Sequence, residues 1–347
     1  MMTVTNDLPD ELERLRPRLP ELVDIVEKKG MRGSVLVTQT TGDDVRRDKQ
    51  TTRVMPTEPG SGIRINAWNG QTTYSYATDN LDDFGSLAAH TSELCDSVPR
   101  VKKQYDLPEL GGPADVHFKN EFKIDPATVK TDQKTDLCSH LVNEMAKYDT
   151  RIANAIAVCM NRNYYRMFAD RNKLYSSNHR VVTLAMVAIA RKEAEQAMNF
   201  DSIVGSGFEV ADTVKDKVSE VPMWAIKQLG AKKIEPGIYT VIFDPDMSGL
   251  FAHESFGHGL ERDTMLRGAA RAILYVGKRV GSDLVTIVDF GGIPGKHGTI
   301  PFSDDGVLTA GPTILVENGI LLPTAMTDVY CYTMLNEIGR ASCRERV

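Results

Sequence analysis

The strongest constraint on the fold lies early in the chain. Gly62–Trp68 (GIRINAW) alternates in character, Asn69-Gly70 follows, and QTTYSYAT resumes with β-branched and aromatic residues. Asn and Gly are the residues that best tolerate the positive φ angles of a tight hairpin turn, and a period of two suits a strand with one buried face. Any fold must therefore accommodate an antiparallel hairpin here. Before it, Pro9–Lys29 carries Leu12, Leu15, Leu19, Leu22, Val23, Ile25 and Val26 among charged residues at nearly helical spacing, which predicts an amphipathic helix ended by Gly30. SVLVTQT then reads as a strand and Asp79–Cys95 as a capped helix, giving an opening unit of helix, strand, hairpin and helix.

Pro99–Thr135 mixes Pro, Gly, Lys and Asp without periodicity and reads as a long connection, with a possible sub-boundary near residues 99–135. A helix is expected over Asp136–Lys147, then strands alternating with turns. In Val181–Ala190, periodicity leaves strand or helix open. Val210–Leu229 reads as a helix closed by Gly230. A second unit starts at Pro236-Gly237: Ile238–Phe243 (IYTVIF) is strongly β-prone, DPDMSG is turn and cap chemistry, and Leu250–Leu266 reads as a helix. DLVTIVDF is a strand, and TILVENGILLP two strands around Asn318-Gly319. The expected fold class is α+β, with an N-terminal mixed α/β region over residues 1–232 and a β-rich unit, incomplete as it stands, over 233–336.

Composition excludes several function classes. Of 347 residues 41% are hydrophobic and 25% charged, enough apolar side chain for a sizeable core and no compositional case for disorder. Lys plus Arg total 41 against 47 Asp plus Glu, so the net charge of -6 provides no field to attract a phosphate backbone, and no nucleic-acid partner is expected. No apolar run reaches the roughly 18 residues of a membrane span, and the N-terminus lacks a signal peptide's basic and apolar regions, so the expectation is a cytoplasmic protein without a membrane partner. Five cysteines (Cys95, Cys138, Cys159, Cys331 and Cys343) form no CxxC pair and are expected to be mostly buried free thiols. The last eleven residues, 337–347, read EIGRASCRERV and match the translation of a common sequencing adaptor. They are expected to be non-biological, leaving Cys343 without function and the natural chain continuing past Asn336.

The chemically informative segment is His253-Glu254-Ser255-Phe256-Gly257-His258, continuing Gly259-Leu260-Glu261-Arg262-Asp263. Neutral imidazoles are the commonest zinc ligands, and a carboxylate beside one of them can act as general base on a water that zinc has acidified. The histidines are spaced i to i+5, which on a regular helix sets the rings about 140° apart, against about 40° for HExxH. A single π-turn would absorb the extra residue, and Gly257 lowers the side-chain crowding such a turn creates. Two histidines on a surface helix can equally be satisfied by hydrogen bonds alone.

That order, IEPGIYTVIFDPDMSGLFAHESFGHGLERD followed by YVGKRVGSDLVTIVDF and ILVENGI, resembles the TldD branch of the TldD/PmbA family of metallopeptidases, formerly described as modulators of DNA gyrase. The hairpin GIRINAWNGQTTYSYATDNL is similar to that family's early G-x-R strand pair. The resemblance implies that His253 and His258 bind Zn2+, that Glu254 is the general base, and that short or unstructured peptides are hydrolysed in a narrow tunnel. It also implies a PmbA-type homologous subunit in a heterodimer, with a homo-oligomer as the other possibility. The third zinc ligand of the family is a cysteine far downstream of the histidines, a residue missing from this chain. Cys331 stands in the wrong context for it and reads as a structural thiol. Glu261 and Asp263 are weaker candidates, favoured as residues that orient the imidazoles. Two other readings stay open: an HExxxH peptidase completed by one of these carboxylates, and a non-catalytic subunit or scaffold of a heteromeric complex.

The remaining candidates are weaker. His297, in GGIPGKHGTIPF, reads as a solvated loop residue, and His90, His117, His140 and His179 have no partner at metal spacing. Gly111-Gly112 and Gly205-x-Gly207 lack the rest of a phosphate loop, and Ser255 is not in a G-x-S-x-G context.

Overall fold

The computed structural model describes residues 7–102, 104–105, 107, 113–261, 264, 268–293, 296–309, 311–323, 325–326 and 343–344. The N-terminal apolar stripe is buried as its spacing requires, with Leu12, Leu19, Leu22, Val23 and Val26 at the core. The helix is split, however, into α1 (Asp10–Leu15) and α2 (Leu19–Lys28), joined by a 3-10 turn at Arg16–Arg18. Pro17 and Pro20 each occupy the first turn of a new segment, where a missing N–H costs nothing.

Seven strands follow in one mixed sheet: β1 (Arg32–Asp48), β2 (Thr52–Trp68), β3 (Thr73–Thr78), β4 (Ala114–Lys119), β5 (Ile152–Ala169), β6 (Lys173–Lys192) and β7 (Glu195–Gly205). The order is β3-β2-β1-β5-β6, with β4 and β7 sharing the outer edge of β6, and β4 is the strand that runs parallel to its neighbour. The expected hairpin is β2–β3, with Trp68 opposite Thr73. Its turn is not the two-residue type that Asn-Gly suggests. Gly70 has φ 99° while Asn69 does not have positive φ, and Asn69 Oδ1 instead accepts the backbone N–H groups of Gln71 and Thr72, each at 3.0 Å. In β1 a bulge falls between Thr40 and Gly42, where the backbone presses so close to β5 that a Cβ on Gly42 would lie 1.9 Å from the carbonyl oxygen of Asn161.

One face of the sheet carries the main core. Ala155, Ala157, Cys159, Asn161, Tyr165, Met167 and Ala169 alternate along β5 and are all buried. At one end they meet α1, α2 and α3 (Phe84–Ser97), and at the other α4 (Thr131–Lys147), α5 (Val210–Lys217) and α6 (Glu220–Gln228). Between these two clusters, buried Lys134 reaches Asp43 at 2.7 Å. The capped helix expected over Asp79–Cys95 begins at Phe84, with Asp83 accepting from the Ser86 N–H. The connection from Pro99 to Thr135 contains β4, and the helix of Val210–Leu229 is two helices, because Pro222 has no N–H to offer Val218 and would clash with its carbonyl. β7 is a further edge strand that the sequence reading did not anticipate.

The second part is less regular than its β-prone composition suggests. Its sheet is small, with β8 (Ile287–Asp289), β9 (Thr313–Glu317) and β10 (Ile320–Leu321) in the order β10-β9-β8, beside α7 (Pro245–Ala252). The expected turn at Asn318-Gly319 forms, with φ 46° and 76°. Residues 238–243 form no ladder among the described residues, and Ile238, Val241 and Ile242 are exposed. Strand propensity supplies no partner for backbone N–H and C=O groups, so the run stays unpaired. A loop of this part returns to the opposite face of the large sheet, where Phe302 is fully buried with Phe168, Tyr175 and Phe118 and Lys173 Nζ donates to the Gly306 carbonyl at 3.2 Å. The chain is thus α+β, with a large mixed sheet followed by helices and a small sheet. No helix among the described residues is long and apolar enough to cross a membrane.

Candidate metal centre

Asp244 opens α7 by accepting the Met247 N–H at 2.8 Å, and Pro245 fits the first helical position. After Ala252 the helix widens into a π-turn over His253–Gly257, in which the His258 N–H bonds the His253 carbonyl. Counting one residue more per turn returns His258 to the side of His253. The two ring centroids are 4.5 Å apart with planes at 70°. One potential ligand atom from each of His253, Glu254 and His258 lies within 4.8 Å of the others, and all three residues are exposed. Among the described residues this is the one group of three His, Cys, Asp or Glu side chains close enough to share an ion. Two imidazole nitrogens with an adjacent carboxylate make a donor set that suits zinc.

A Cβ on Gly257 would sit 3.5 Å from His253 Nδ1, so the glycine leaves the ring room without an empty gap. The chain then tightens to a 3-10 turn, His258–Leu260, fixed by Leu260, which is buried against Leu315, Val316 and Leu321. One residue on, Glu261 Oε1 lies 3.1 Å from His258 Nδ1, and its side chain is only 12% exposed against 56% for the histidine. With the carboxylate oxygen as acceptor, Nδ1 is the donor and Nε2 is the ring nitrogen left for another partner.

A cleft of about 420 Å³ runs between this helical segment and the small sheet, lined by His253, His258 and Glu261 on one side and Ile287, Asp289 and Leu315 on the other. Burial pushes the Asp289 carboxyl above its ordinary range. Sequence reasoning passed over Asp289; alternation along DLVTIVDF, which sets it on the same face as apolar Ile287, was the available signal.

Other expected residues lie elsewhere. Asp263 and Cys331 are outside the described residues, as is the side chain of Cys343. Cys95, Cys138 and Cys159 are buried free thiols in the core of the large sheet. His90 stacks on Tyr76, and His179 Nε2 bonds the His297 carbonyl at 2.7 Å. His117 sits between Asp7 at 2.7 Å and Ser176 at 2.9 Å. This last trio has hydrolase-like membership, but Ser176 is fully buried and already accepts from Arg16 Nε at 2.9 Å, so it cannot meet a substrate.

Comparison with known proteins bears on the same part of the chain. Residues 236–337 match the family described as the PmbA/TldA metallopeptidase C-terminal domain. The chain is similar to metalloproteases of the TldD/PmbA family. It is 29% identical over 274 residues to a metalloprotease of Methanocaldococcus jannaschii, covering 76% of this chain and 58% of that protein. It is also 27% identical over 245 residues to a zinc metalloprotease TldD homolog of Saccharolobus solfataricus, covering 70% and 52%. The chain thus spans about half the length of these curated relatives. The fold is similar to the crystal structure of a Bacteroides thetaiotaomicron protein described as a candidate modulator of DNA gyrase, with a TM-score of 0.75 at 17% identity over 94% of this chain and 74% of that one.

Proposed function

We propose that this chain carries the metal-binding part of a zinc-dependent peptidase acting on short or unstructured peptides. The π-turn that brings His253 and His258 together beside Glu254 supports this reading most directly. His253 and His258 would hold the ion, with a cysteine beyond Asn336 as the third ligand that the family resemblance implies. When bound, zinc supplies a Lewis acid that polarises the scissile carbonyl and makes water easier to deprotonate. The Glu254 carboxylate takes a proton from the attacking water and passes it to the departing amide nitrogen. Glu261 fixes the ring of His258 through Nδ1, which would leave Nε2 to hold the ion. That engagement, and the absence of its oxygens from the close group, favours a positioning role over direct ligation for Glu261. The substrate backbone lies along the open edge of β8 as an added strand. A PmbA-type subunit or a second copy as partner, and a cytoplasmic location, complete the proposal.

The test is Glu254→Gln in the full-length protein read from the genomic frame through the codons beyond Asn336. Zinc content is expected to be retained while peptide cleavage falls by about 100-fold or more. Unchanged cleavage would reject the catalytic role and leave a non-catalytic subunit as the better description.

A further inference from the structure

We propose that Asp289 is a specificity residue of the same cleft and accepts a positively charged group of the peptide substrate. The proposal rests on the peptidase reading and adds the class of peptide the site prefers. Asp289 closes β8, an edge strand of the small sheet, so among the described residues one side of its backbone has no strand partner. Ile287, two residues before it, packs against the cluster formed by Leu260, Leu315 and Val316. The pairing of β8 with β9 shifts register between Ile287 and Val288, but Ile287 and Asp289 are both half-buried while Val288 is exposed, and Asp289 lines the cleft together with the histidines.

Three features of the cleft give Asp289 this role. Its carboxylate is half-buried, yet among the described residues it has no hydrogen-bond or ion-pair partner. A partly desolvated carboxylate gains most from a cation that arrives with its own N–H donors. Next, among the described residues lining the cleft the carboxylates are Glu261 and Asp289, with no Lys or Arg, and Glu261 is engaged by His258. Asp289 is the acceptor left for a ligand. Finally, Asp289 does not join the group of close ligand atoms made by His253, Glu254 and His258, so it is not placed to complete the metal site. A cleft of about 420 Å³ holds a few residues of extended peptide, which puts an ammonium or guanidinium near the scissile bond within reach.

The cation can be a free N-terminal ammonium or a Lys or Arg side chain, and the experiment separates them. Four peptides of one sequence are compared, with the N-terminus free or acetylated and one internal position Lys or norleucine, each carrying a dye at its C-terminus. Affinities are read by fluorescence anisotropy on the full-length zinc-loaded protein in a Glu254→Gln background, so the readout does not depend on turnover. Asp289→Asn is expected to weaken the doubly cationic peptide about tenfold, which is about 1.4 kcal/mol, and to leave the acetylated norleucine peptide unchanged. Loss that persists in the acetylated Lys peptide assigns the side chain, and loss that persists in the free norleucine peptide assigns the N-terminus. Asp289→Glu should keep the preference for cations, and zinc stoichiometry should be the same in every variant. Equal weakening of all four peptides, or loss of zinc in Asp289→Asn, would overturn the proposal. A failure of catalysis alone would count against the peptidase reading and leave this measurement intact.

Discussion

The imidazoles of His253 and His258 stand 4.5 Å apart although five residues separate them in sequence, because the helix between them widens by one residue. On a regular helix they would diverge by about 140°. Gly257 lies within the widened turn beside His253, and its substitutions should grade by size. Gly257→Ala places a Cβ at 3.5 Å from His253 Nδ1, an ordinary contact, and is expected to change zinc affinity less than about threefold. Gly257→Val adds two carbons beyond that point and should displace the ring, lowering affinity about tenfold or more. Competition with a chromophoric chelator measures both. Equal affinities for the valine variant and the parent would show that the π-turn does not depend on this residue.

Glu261 provides a second gradation at the same site. Removing the acceptor of the His258 Nδ1–H frees the ring to rotate and removes the preference for the tautomer with free Nε2. Glu261→Ala is expected to weaken zinc binding about 10- to 100-fold, the range for residues that act through a ligand. Glu261→Gln, which keeps a carbonyl oxygen, should recover part of that loss. Complete loss of zinc in both variants would instead identify Glu261 as a ligand.

Local chemistry made much of this site legible. An i to i+5 histidine pair with glycine before the second histidine requires a widened turn if both rings are to meet one ion, and the turn is there at His253–Gly257. The hairpin at Ile63–Thr78 and the turn at Asn318-Gly319 were legible for the same reason, since each is set by residues within a few positions of one another. Long-range pairing was harder to read. β4 lies in a stretch of Pro, Gly and charged residues and becomes a strand because the edge of β6 offers it partners. Ile238–Phe243 consists of strand-forming residue types but pairs with no strand among the described residues. Propensity describes how a side chain fits a sheet already present and does not say where the sheet is.

Phe302 ties the returning loop to the large sheet, and its removal should be costly. The ring is fully buried, with its centroid 5.5 Å from that of Tyr175 and 5.9 Å from that of Phe118. Truncating such a side chain removes its transfer free energy and leaves a cavity, together about 3–5 kcal/mol. Phe302→Ala is therefore expected to lower unfolding stability by that order in urea titration. A loss under about 1 kcal/mol would mean that the aromatic cluster re-forms without it.

The N-terminal segment should loosen in acid through Asp7. Burial alone raises this carboxyl, but the hydrogen bond and charge of His117, the Asn178 side chain and the charge of Arg180 outweigh it and hold Asp7 below its ordinary 3.8. A group depressed in the folded state contributes stability that is present above its unfolded value and is lost as pH falls through the folded one. Wild type should therefore exceed Asp7→Asn in stability at pH 7, and the two should converge below pH 3.8. Denaturant titrations at pH 7 and pH 3 give the comparison. A constant difference between the variants would remove Asp7 from the acid response.

The buried thiols of the large sheet should be inert while the fold persists. Desolvation pushes Cys138 up to about 11 and Cys159 up to about 12, and Cys95 is raised by the same cause. The thiolate is the reactive species, so at pH 8 these groups are almost entirely protonated as well as shielded from reagent. Alkylation with iodoacetamide, mapped by mass spectrometry to the peptides containing each residue, should leave Cys138 and Cys159 unmodified under native conditions and label them fully in denaturant. Because both lie in the core shared by α4, β5 and β6, their labelling rate also reports opening of that layer, and it should rise with urea as global stability falls. Fast native labelling of Cys159 without unfolding would show that α4 separates from the sheet on its own.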